Sequence, residues 1–406
     1  MDKCYDIAVI GGGAAGLVAA IAAKRHRGDL SVALLEREDR VGKKLLRTGN
    51  GRCNITNKYV CEDRYHGADP EFVEAAFDRF PVATVERFFA SVGVMIEYVP
   101  DGRAYPTSHQ ASSVVDALRF AAAELSVETI CDFDTAKIAP KNGGFAIFGK
   151  EKLFAKRVIV AVGSSAGLRR AATPLLENMG YKSVDIKPAI VALKTDPFYV
   201  RQLKGIKFDG EISAMKDSVK LATSSGEILF AEDGVSGPPA LNIARLISHK
   251  RADQISLDIF PAYSFETLLK LLESRRVLLG GRNMDEFFTG MVNKRLGQII
   301  VKYSGLSLSD KAADISDDKL EVLAWALKDF RIKAIGTLPL SSAQVAAGGI
   351  ATDQFSPFTL ESKLHKGLYA VGEVLDIDGD CGGFNLQWAW SSGLLAAESA
   401  CASFEE

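Results

Sequence analysis

The segment RTGNGRCN, at residues 47–54, combines residue types that suit contact with a ligand. Its glycines allow close approach to the backbone, and its asparagines supply hydrogen-bond donors and acceptors. Its basic side chains could offset phosphate charge, although a solvated basic loop is the simpler alternative. We predict that the segment lies along a bound cofactor. The predicted contacts are Asn50, Gly51, Arg52, Cys53 and Asn54.

The glycine spacing near the N-terminus is typical of a dinucleotide-binding turn. Residues 5–10 predict a strand and residues 14–25 a helix, so backbone N–H groups between them can face a pyrophosphate. Glu36 ends a second predicted strand, where its carboxylate can accept hydrogen bonds from a ribose diol and disfavours a 2′-phosphate. The ligand is then FAD or NAD, unless the glycines only pack a helix on a strand. The predicted contacts are Gly11, Gly13, Ala14, Ala15, Gly16, Glu36 and Arg37.

The segment after Glu36 favours FAD over NAD. It is a long glycine-bearing loop, which can wrap an extended ligand, and its Lys43 and Lys44 could offset phosphate charge. RVIVAVG, at residues 157–163, is a further apolar strand that ends on glycine. It adds Ala161 and Gly163 to the predicted contacts.

The elements that position these segments follow from hydrophobic periodicity. Helical spacing covers 70–92 and 111–125, and separate strand-like pieces lie at 144–149 and 153–155. From about residue 189, short alternating runs predict an antiparallel sheet or barrel, with leucine-rich helical periods inserted in it. Ser236 is a candidate N-cap before Pro238.

Glycine-bearing strands return after about residue 345, followed by a C-terminal helix. We therefore predict an α/β protein in which one domain opens and closes the chain. The predicted divisions are a dinucleotide-binding domain formed by 1–188 and 346–406, a β-rich insert formed by 189–263 and 331–345, and a helical subdomain over 264–330.

Composition indicates an ordinary globular protein. The formal net charge is −2, so no global basic field indicates nucleic acid or anionic lipid as a partner. The six cysteines lack C-x-x-C or metal-ligand spacing, which suits reduced thiols and a cytoplasmic location. We expect no signal peptide, membrane span, bound metal or stable protein partner; the D-x-D-x-D run near residue 378 lacks the glutamate of a calcium loop.

Five segments together resemble the successive signature blocks of the HI0933-like (YhiN-type) FAD-binding flavoproteins. They extend from residue 11 to residue 393: GGGAAGL, GKKLLRTGNGRCNITN, DGRAYPTSHQASSVVDAL, GVSGPPAL and GLYAVGEVLDIDGDCGGFNLQWAWSSG. The resemblance implies FAD, a discontinuous Rossmann-type domain of the glutathione-reductase kind, and a β-barrel-like insert that carries a helical subdomain. One departure is SSAGLRRAAT after VIVAVG, where the family has a Tyr-Pro and glycine-rich stretch.

The resemblance also implies contacts from the C-terminal block. Gly372 and Glu373 would close over the far part of FAD, and the start of the last helix would lie beside the isoalloxazine. The implied contacts at that helix are Gly382, Gly383, Asn385 and Gln387. A helix N-terminus directed at the flavin would stabilise negative charge on the reduced ring, whereas the alternative is a glycine turn that only caps the helix.

Three reaction classes remain open from the sequence. The chain has no second G-x-G-x-x-G and no redox C-x-x-C, so NAD(P)H would bind transiently as reductant. Activities of the family favour hydride transfer to an activated C=C bond of an enone or uracil, with a small molecule or RNA uridine as substrate. The alternatives are an amine or hydroxy-compound oxidase or dehydrogenase, and a non-catalytic flavin-binding protein.

The DGRAYPTSHQ block supplies the candidate catalytic groups. It matches a family motif and contains a fixed cation together with side chains able to donate a proton. We predict Arg103, Tyr105 and His109 as the catalytic residues. The alternative is a β-turn at Asp101 and Gly102 that holds Arg103 in a surface ion pair.

Overall fold

A computed structural model describes residues 3–67, 70–166 and 173–405 of the chain. The chain forms two compact units. The first, called the outer unit, contains Met1–Lys187 and Gln344–Glu406; the second, called the inserted unit, is Pro188–Ala343. Residues 167–172, the centre of the segment that departs from the family pattern, lie outside the described residues.

The strands and helices are numbered in chain order. The strands are β1 Lys3–Ile10, β2 Val32–Leu35, β3 Thr56–Asn57, β4 Tyr65–Gly67, β5 Ile96–Tyr98, β6 Arg103–Pro106, β7 Glu128–Ile130, β8 Lys137–Lys141, β9 Gly144–Phe148, β10 Lys152–Val160, β11 Ser183–Ile190, β12 Leu193–Thr195, β13 Lys207–Lys216, β14 Val219–Phe230, β15 Gly234–Ser236, β16 Gln254–Asp258, β17 Phe330–Thr337, β18 Val345–Ile350, β19 Leu368–Ala370 and β20 Ile377–Gly379. The helices are α1 Ala14–His26, α2 Pro70–Arg79, α3 Val82–Ser91, α4 Ala111–Glu124, α5 Pro174–Glu177, α6 Pro197–Val200, α7 Pro238–Ser248, α8 Phe265–Leu278, α9 Lys294–Tyr303, α10 Asp317–Lys328 and α11 Phe384–Ala402.

The outer unit is built on a mainly parallel sheet with the order β7-β2-β1-β10-β9-β8, and β19 pairs with β10. Neighbouring strands are parallel from β7 through β2 and β1 to β10, and β19 is parallel to β10. Strand β9 is antiparallel to β10, and β8 is antiparallel to β9. The central strands read as continuous apolar runs because both faces of a parallel sheet are covered. The predicted Rossmann-type α/β arrangement is confirmed, and its first unit is β1-α1-β2.

Helix α11 fills the core of the outer unit. Of its 19 residues most are buried, including Trp388 and Trp390 at 1% and 0% exposure. It packs directly on α1, since a Cβ on Gly393 would lie 2.6 Å from the carbonyl oxygen of Ala15. Glycine at that position lets the two helices come close, and the contact fixes where the N-terminus of α11 lies relative to α1.

The inserted unit contains a closed barrel with the order β12-β15-β14-β13-β16-β17. The predicted barrel is confirmed. Its interior is filled by apolar side chains such as Ile212, Phe230 and Ile255, each fully buried. Helices α8, α9 and α10 lie between β16 and β17 in the sequence, and the division of this unit into two domains stays a prediction.

Three local predictions need correction. The helical segment over 70–92 is two helices, because Pro81 lacks a backbone N–H and begins a new helix as the N-cap of α3. The two predicted pieces 153–155 and 157–163 are one strand, β10, which ends at Val160 and pairs with β1 from Leu153 to Val160. The N-cap of α7 is Gly237 at φ +96°, not Ser236, which ends β15.

Candidate active site

The first end of the site is the N-terminus of α1. A Cβ on Gly11 would lie 2.4 Å from the Ala161 carbonyl oxygen, and one on Gly16 would lie 1.9 Å from the Gly11 carbonyl oxygen. These two glycines are therefore required for the turn and for packing. Gly13 differs, since no described atom lies within 4 Å of its Cβ position. The open space beside Gly13, the N-cap of α1, fits a pyrophosphate on the N–H groups of Ala14 and Ala15.

Glu36 lies directly after β2, beside this turn. Its Oε2 accepts a hydrogen bond from the Gly12 N–H at 2.7 Å, and its Oε1 accepts one from the Glu38 N–H at 2.9 Å. Each carboxylate oxygen accepts more than one hydrogen bond, so the oriented carboxylate keeps capacity for a ribose diol. The neighbouring Arg37 pairs with Glu38 through a contact of 3.3 Å.

The two lysines of the following loop are ion-paired within the protein. Lys43 Nζ lies 2.9 Å from Glu38 and 2.6 Å from Asp39. Lys44 pairs with Glu373, and its Nζ donates to Ser164 Oγ at 3.2 Å. The contacts of Lys44 connect the loop to the segment after β10 and to the turn after β19. That the two lysines offset phosphate charge stays a prediction.

Two further glycine turns border the same end. Gly163 follows β10 at φ +73° with no described atom within 4 Å of its Cβ position. Gly372, at φ +67°, donates its N–H to Ser392 Oγ at 3.0 Å, and Trp388 Nε1 donates to its carbonyl oxygen at 3.1 Å. Helix α11 thus holds the turn that carries Glu373.

The second end of the site is the N-terminus of α11, where segments far apart in sequence meet. A Cβ on Gly383 would lie 2.4 Å from the Thr56 carbonyl oxygen and 2.9 Å from Asn54 Oδ1. Asn57 Nδ2 donates to the Gly382 carbonyl oxygen at 2.8 Å. Gly382 and Gly383 have φ of +130° and +102°, which favours glycine. RTGNGRCNITN and GDCGGFNLQ therefore form one surface.

Two amides of the predicted set have structural partners. Asn385 accepts the Gly379 N–H at 2.8 Å and donates to the Gly379 carbonyl oxygen at 2.7 Å. Gln387 is fully buried; it accepts from Thr56 Oγ1 at 2.6 Å and donates to Ser391 Oγ at 2.9 Å. These bonds fix the geometry of the helix N-terminus, whereas any direct contact with FAD stays a prediction.

One buried polar group, the side-chain oxygen of Asn54, tests whether the residues present fit FAD. Asn54 is 8% exposed, and its Oδ1 has no hydrogen-bond partner among the described residues. A buried acceptor without a partner costs free energy, so this site calls for an N–H donor from a ligand. The isoalloxazine of FAD carries such a donor on its pyrimidine ring, and the residues present therefore fit the cofactor.

The distance between the two ends also fits an extended dinucleotide. Gly393 packs on Ala15 at the N-terminus of α1, and Gly383 lies ten residues earlier on α11. At a rise of about 1.5 Å per residue, the two ends are about 15 Å apart. We call them the pyrophosphate end and the ring end.

The RTGNGRCN loop has a backbone that few side chains adopt. Positive φ occurs at Gly49, Asn50, Gly51 and Cys53, with values of 56°, 55°, 84° and 61°. Cys53 is fully buried, and burial raises the pKa of its thiol to about 12, against a smaller lowering by a hydrogen bond from Thr48. Such strained residues persist where the surrounding structure fixes them.

The predicted catalytic residues lie on β6 or just after it, near the ring end. Arg103 Cγ lies 3.7 Å from the Cβ position of Gly382. Its guanidinium pairs with Asp101, and Nε donates to that carboxylate at 2.7 Å. This is the ion pair that the alternative prediction, a β-turn at Asp101 and Gly102, gave for Arg103. Tyr105 is 2% exposed, and its ring centroid lies 6.3 Å from that of His109. His109 Nε2 lies 2.7 Å from Glu97.

Sequence reasoning missed several residues that build the site. Thr56, Ser164 and Ser392 make the hydrogen bonds that join its segments, and Trp390 Nε1 donates to the Ile55 carbonyl oxygen at 2.8 Å. Thr56 adjoins the RTGNGRCN segment, which is the signal that could have found it. Within the described ranges no group of three or more His, Cys, Asp or Glu side chains could hold a metal.

A family model described as HI0933-like protein Rossmann domain matches residues 5–399. The chain belongs to the HI0933-like family. The predicted resemblance is confirmed, and the protein is an FAD-dependent oxidoreductase. In the part of the chain that the structure describes, no helix is long and apolar enough to cross a membrane.

Relatives cover nearly the whole length of this chain. It is 34% identical over 403 residues, 97% of this chain and 98% of the other, to a Clostridium scindens protein named 3-dehydro-bile acid delta(4,6)-reductase. It is 26% identical, over 98% of both chains, to the ribosomal RNA dihydrouridine synthase of Escherichia coli. The solved 3-ketosteroid delta1-dehydrogenase of Sterolibacterium denitrificans has 13% identity and a TM-score of 0.52, covering 99% of this chain and 100% of its own. That likeness shows the fold alone.

Proposed function

We propose that this FAD-dependent member of the HI0933-like family reduces an activated C=C bond, with NAD(P)H as the reductant. The observation that carries the proposal is the position of Arg103 beside Gly382 at the ring end. A fixed cation there could polarise the carbonyl conjugated to the double bond. The substrate class is compounds with an activated C=C bond. We prefer an enone as its member, and a uracil is the second candidate.

The reaction balances with one reductant and one proton. FAD held between the pyrophosphate end and the ring end would supply the hydride chemistry that connects NAD(P)H with the electrophilic carbon of the double bond. Arg103 would hold the carbonyl oxygen as negative charge develops there, and Tyr105 or His109 would supply the proton to the other carbon. The products are NAD(P)⁺ and a saturated C–C bond.

The relatives support the class of bond. The Clostridium scindens protein is named for reducing double bonds in a 3-dehydro bile acid, and the Escherichia coli protein for forming dihydrouridine in ribosomal RNA. Both names describe reduction of a C=C bond. We place the enone first because the protein of that specificity shares 34% rather than 26% of its residues with this chain.

An anaerobic titration tests the proposal. The purified holoprotein is titrated with NADPH and then NADH, while the visible flavin spectrum is followed. The reduced protein is then mixed separately with a 3-oxo-4-ene steroid acid, a uridine-containing RNA and oxygen. We expect bleaching by one nicotinamide and fastest recovery with the enone. Fastest recovery with RNA would place the substrate in the uracil class, and reduction by amines or hydroxy compounds alone would overturn the proposal in favour of an oxidase or dehydrogenase.

A further inference from the structure

Arg52 has an unusual environment for an arginine of this site. Its guanidinium lies over the ring of Tyr105, with Cζ 4.7 Å from the ring centroid. Its Nε makes a long contact of 3.4 Å with the Gly49 carbonyl oxygen. No carboxylate among residues 3–67, 70–166 and 173–405 lies within ion-pair distance of it, and the residue is exposed.

Two side chains near Arg52 on this face of β6 have acidic partners. Arg103 pairs with Asp101, and His109 pairs with Glu97, which lies opposite Tyr105 in the adjacent strand β5. Arg52 therefore differs from its neighbours because its charge is held in place by an aromatic ring rather than by an acid. A guanidinium stacked in this way keeps its planar edge available for two parallel hydrogen bonds.

The position of Arg52 makes a phosphate of FAD an unsuitable partner. A Cβ on Gly49 would lie 2.9 Å from the Asn54 backbone nitrogen and 3.3 Å from Tyr105 Cε1, so the loop and Tyr105 belong to the ring end. The pyrophosphate end is about 15 Å away along α11. Arg52 thus lies at the ring end and not at the end assigned to the pyrophosphate.

We infer that Arg52 binds a carboxylate of the substrate and so selects acids over neutral enones. The inference rests on the proposed function, because it gives the enone a second anchoring point besides Arg103. The exposed planar edge of one guanidinium suits one carboxylate, which it can hold through two parallel hydrogen bonds. The sequence predicted Arg52 as a cofactor contact, so this inference assigns it a different ligand.

The loop conformation supports a positioned anchor. Positive φ at Asn50, Gly51 and Cys53 determines where Arg52 lies, and the fully buried Cys53 side chain fixes the loop beneath it. Little freedom is then lost when the carboxylate binds, which favours a selective contact.

The test compares an acid with its ester. Ligands are 3-oxochol-4-en-24-oic acid, its methyl ester, and benzoate as a simple carboxylate, and dissociation constants are read from the flavin spectrum of the oxidised holoprotein. Arg52→Gln should raise the dissociation constants of the acid and of benzoate about tenfold while changing that of the ester less than about twofold. Lys58→Gln, which removes an exposed cation just after β3, should change none of them.

The outcomes that would overturn the inference about Arg52 differ from those that would overturn the proposed reaction. Equal effects of Arg52→Gln on acid and ester, no effect on either, or no binding of acid and benzoate to the wild type would overturn the inference. Loss of FAD from Arg52→Gln would assign the residue to the cofactor and also overturn it. Reduction of the ester by the wild type tests the reaction itself, since that substrate does not need the carboxylate contact.

Discussion

Thr56 Oγ1 donates a hydrogen bond of 2.6 Å to Gln387 Oε1, across 331 residues of sequence. Both side chains are fully buried. This bond joins the strand that follows the RTGNGRCN loop to the first turn of α11, so the cofactor loop and the helix N-terminus form one rigid surface. Protein groups alone make this contact, and it holds the two segments of the ring end together.

Thr56→Val should destabilise the outer unit by about 1–3 kcal/mol, because it leaves the buried Gln387 oxygen without a donor. Thr56→Ser retains the hydroxyl and serves as the matched control. Urea denaturation of the FAD-free proteins measures the difference. Equal midpoints for Thr56→Val and the wild type would show that the bond does not stabilise the fold.

Gly13→Val should weaken FAD binding strongly with little effect on the fold. The backbone at Gly13 has φ −83°, which any residue adopts, and the protein leaves the Cβ position open. The added methyl groups would occupy space assigned to the pyrophosphate, and we expect the dissociation constant of FAD to rise about 100-fold. Gly281→Val, at an equally open glycine of the inserted unit, is the control. Retention of stoichiometric FAD by Gly13→Val would place the cofactor elsewhere.

Asn54→Leu should not destabilise the FAD-free protein, but it should weaken the binding of FAD. Its Oδ1 is buried without a partner, so removing it should leave the FAD-free protein as stable or up to about 1 kcal/mol more stable. The flavin loses an acceptor, and FAD should bind about tenfold more weakly. Thermal unfolding and fluorescence titration measure these two effects.

Asn57→Leu is the contrasting variant for Asn54→Leu. The Asn57 side chain bonds the Gly382 carbonyl oxygen and the Tyr59 N–H, so its removal should destabilise the FAD-free protein. If both variants destabilise the FAD-free protein equally, Asn54 has a partner within the protein and its assignment to FAD is wrong.

Iodoacetamide should alkylate Cys381 slowly, and more slowly still in the Arg103→Gln variant. Burial raises the pKa of its thiol to about 11, while the Arg103 charge opposes the rise. A raised pKa means less thiolate, so the rate should increase about tenfold for each pH unit between about pH 8 and 10. Arg103→Gln removes the opposing charge and should reduce the rate at a given pH. Iodoacetamide labelling with peptide mass spectrometry tests this, and the exposed Cys61 is the internal reference.

Much of the outer unit was predictable because its signals are local. The apolar run of β1, the glycines before α1 and the acid after β2 indicate a Rossmann-type unit within 36 residues. The barrel was also predictable, from short alternating runs separated by polar turns. The break at Pro81 needed closer attention to one residue, since the apolar spacing continues through it.

The ring end was predictable in its segments but not in its connections. No local pattern shows that Thr56 bonds Gln387 or that Asn57 bonds Gly382, because these contacts depend on how α11 packs on α1. The pairing of Lys44 with Glu373 is likewise a tertiary contact. Sequence alone could not show this pairing, and the predicted contacts of Lys44 and Arg52 with the cofactor stay predictions.

A single-turnover reaction without nicotinamide tests the central claim most directly. The holoprotein is reduced with dithionite in the absence of oxygen and mixed with 3-oxochol-4-en-24-oic acid. We predict that the flavin spectrum returns to the oxidised form and that mass spectrometry finds one saturated product, heavier by two hydrogens, for each flavin. A flavin that stays reduced with this acid and with uridine-containing RNA, yet is reoxidised by oxygen, would contradict the assignment as a C=C reductase.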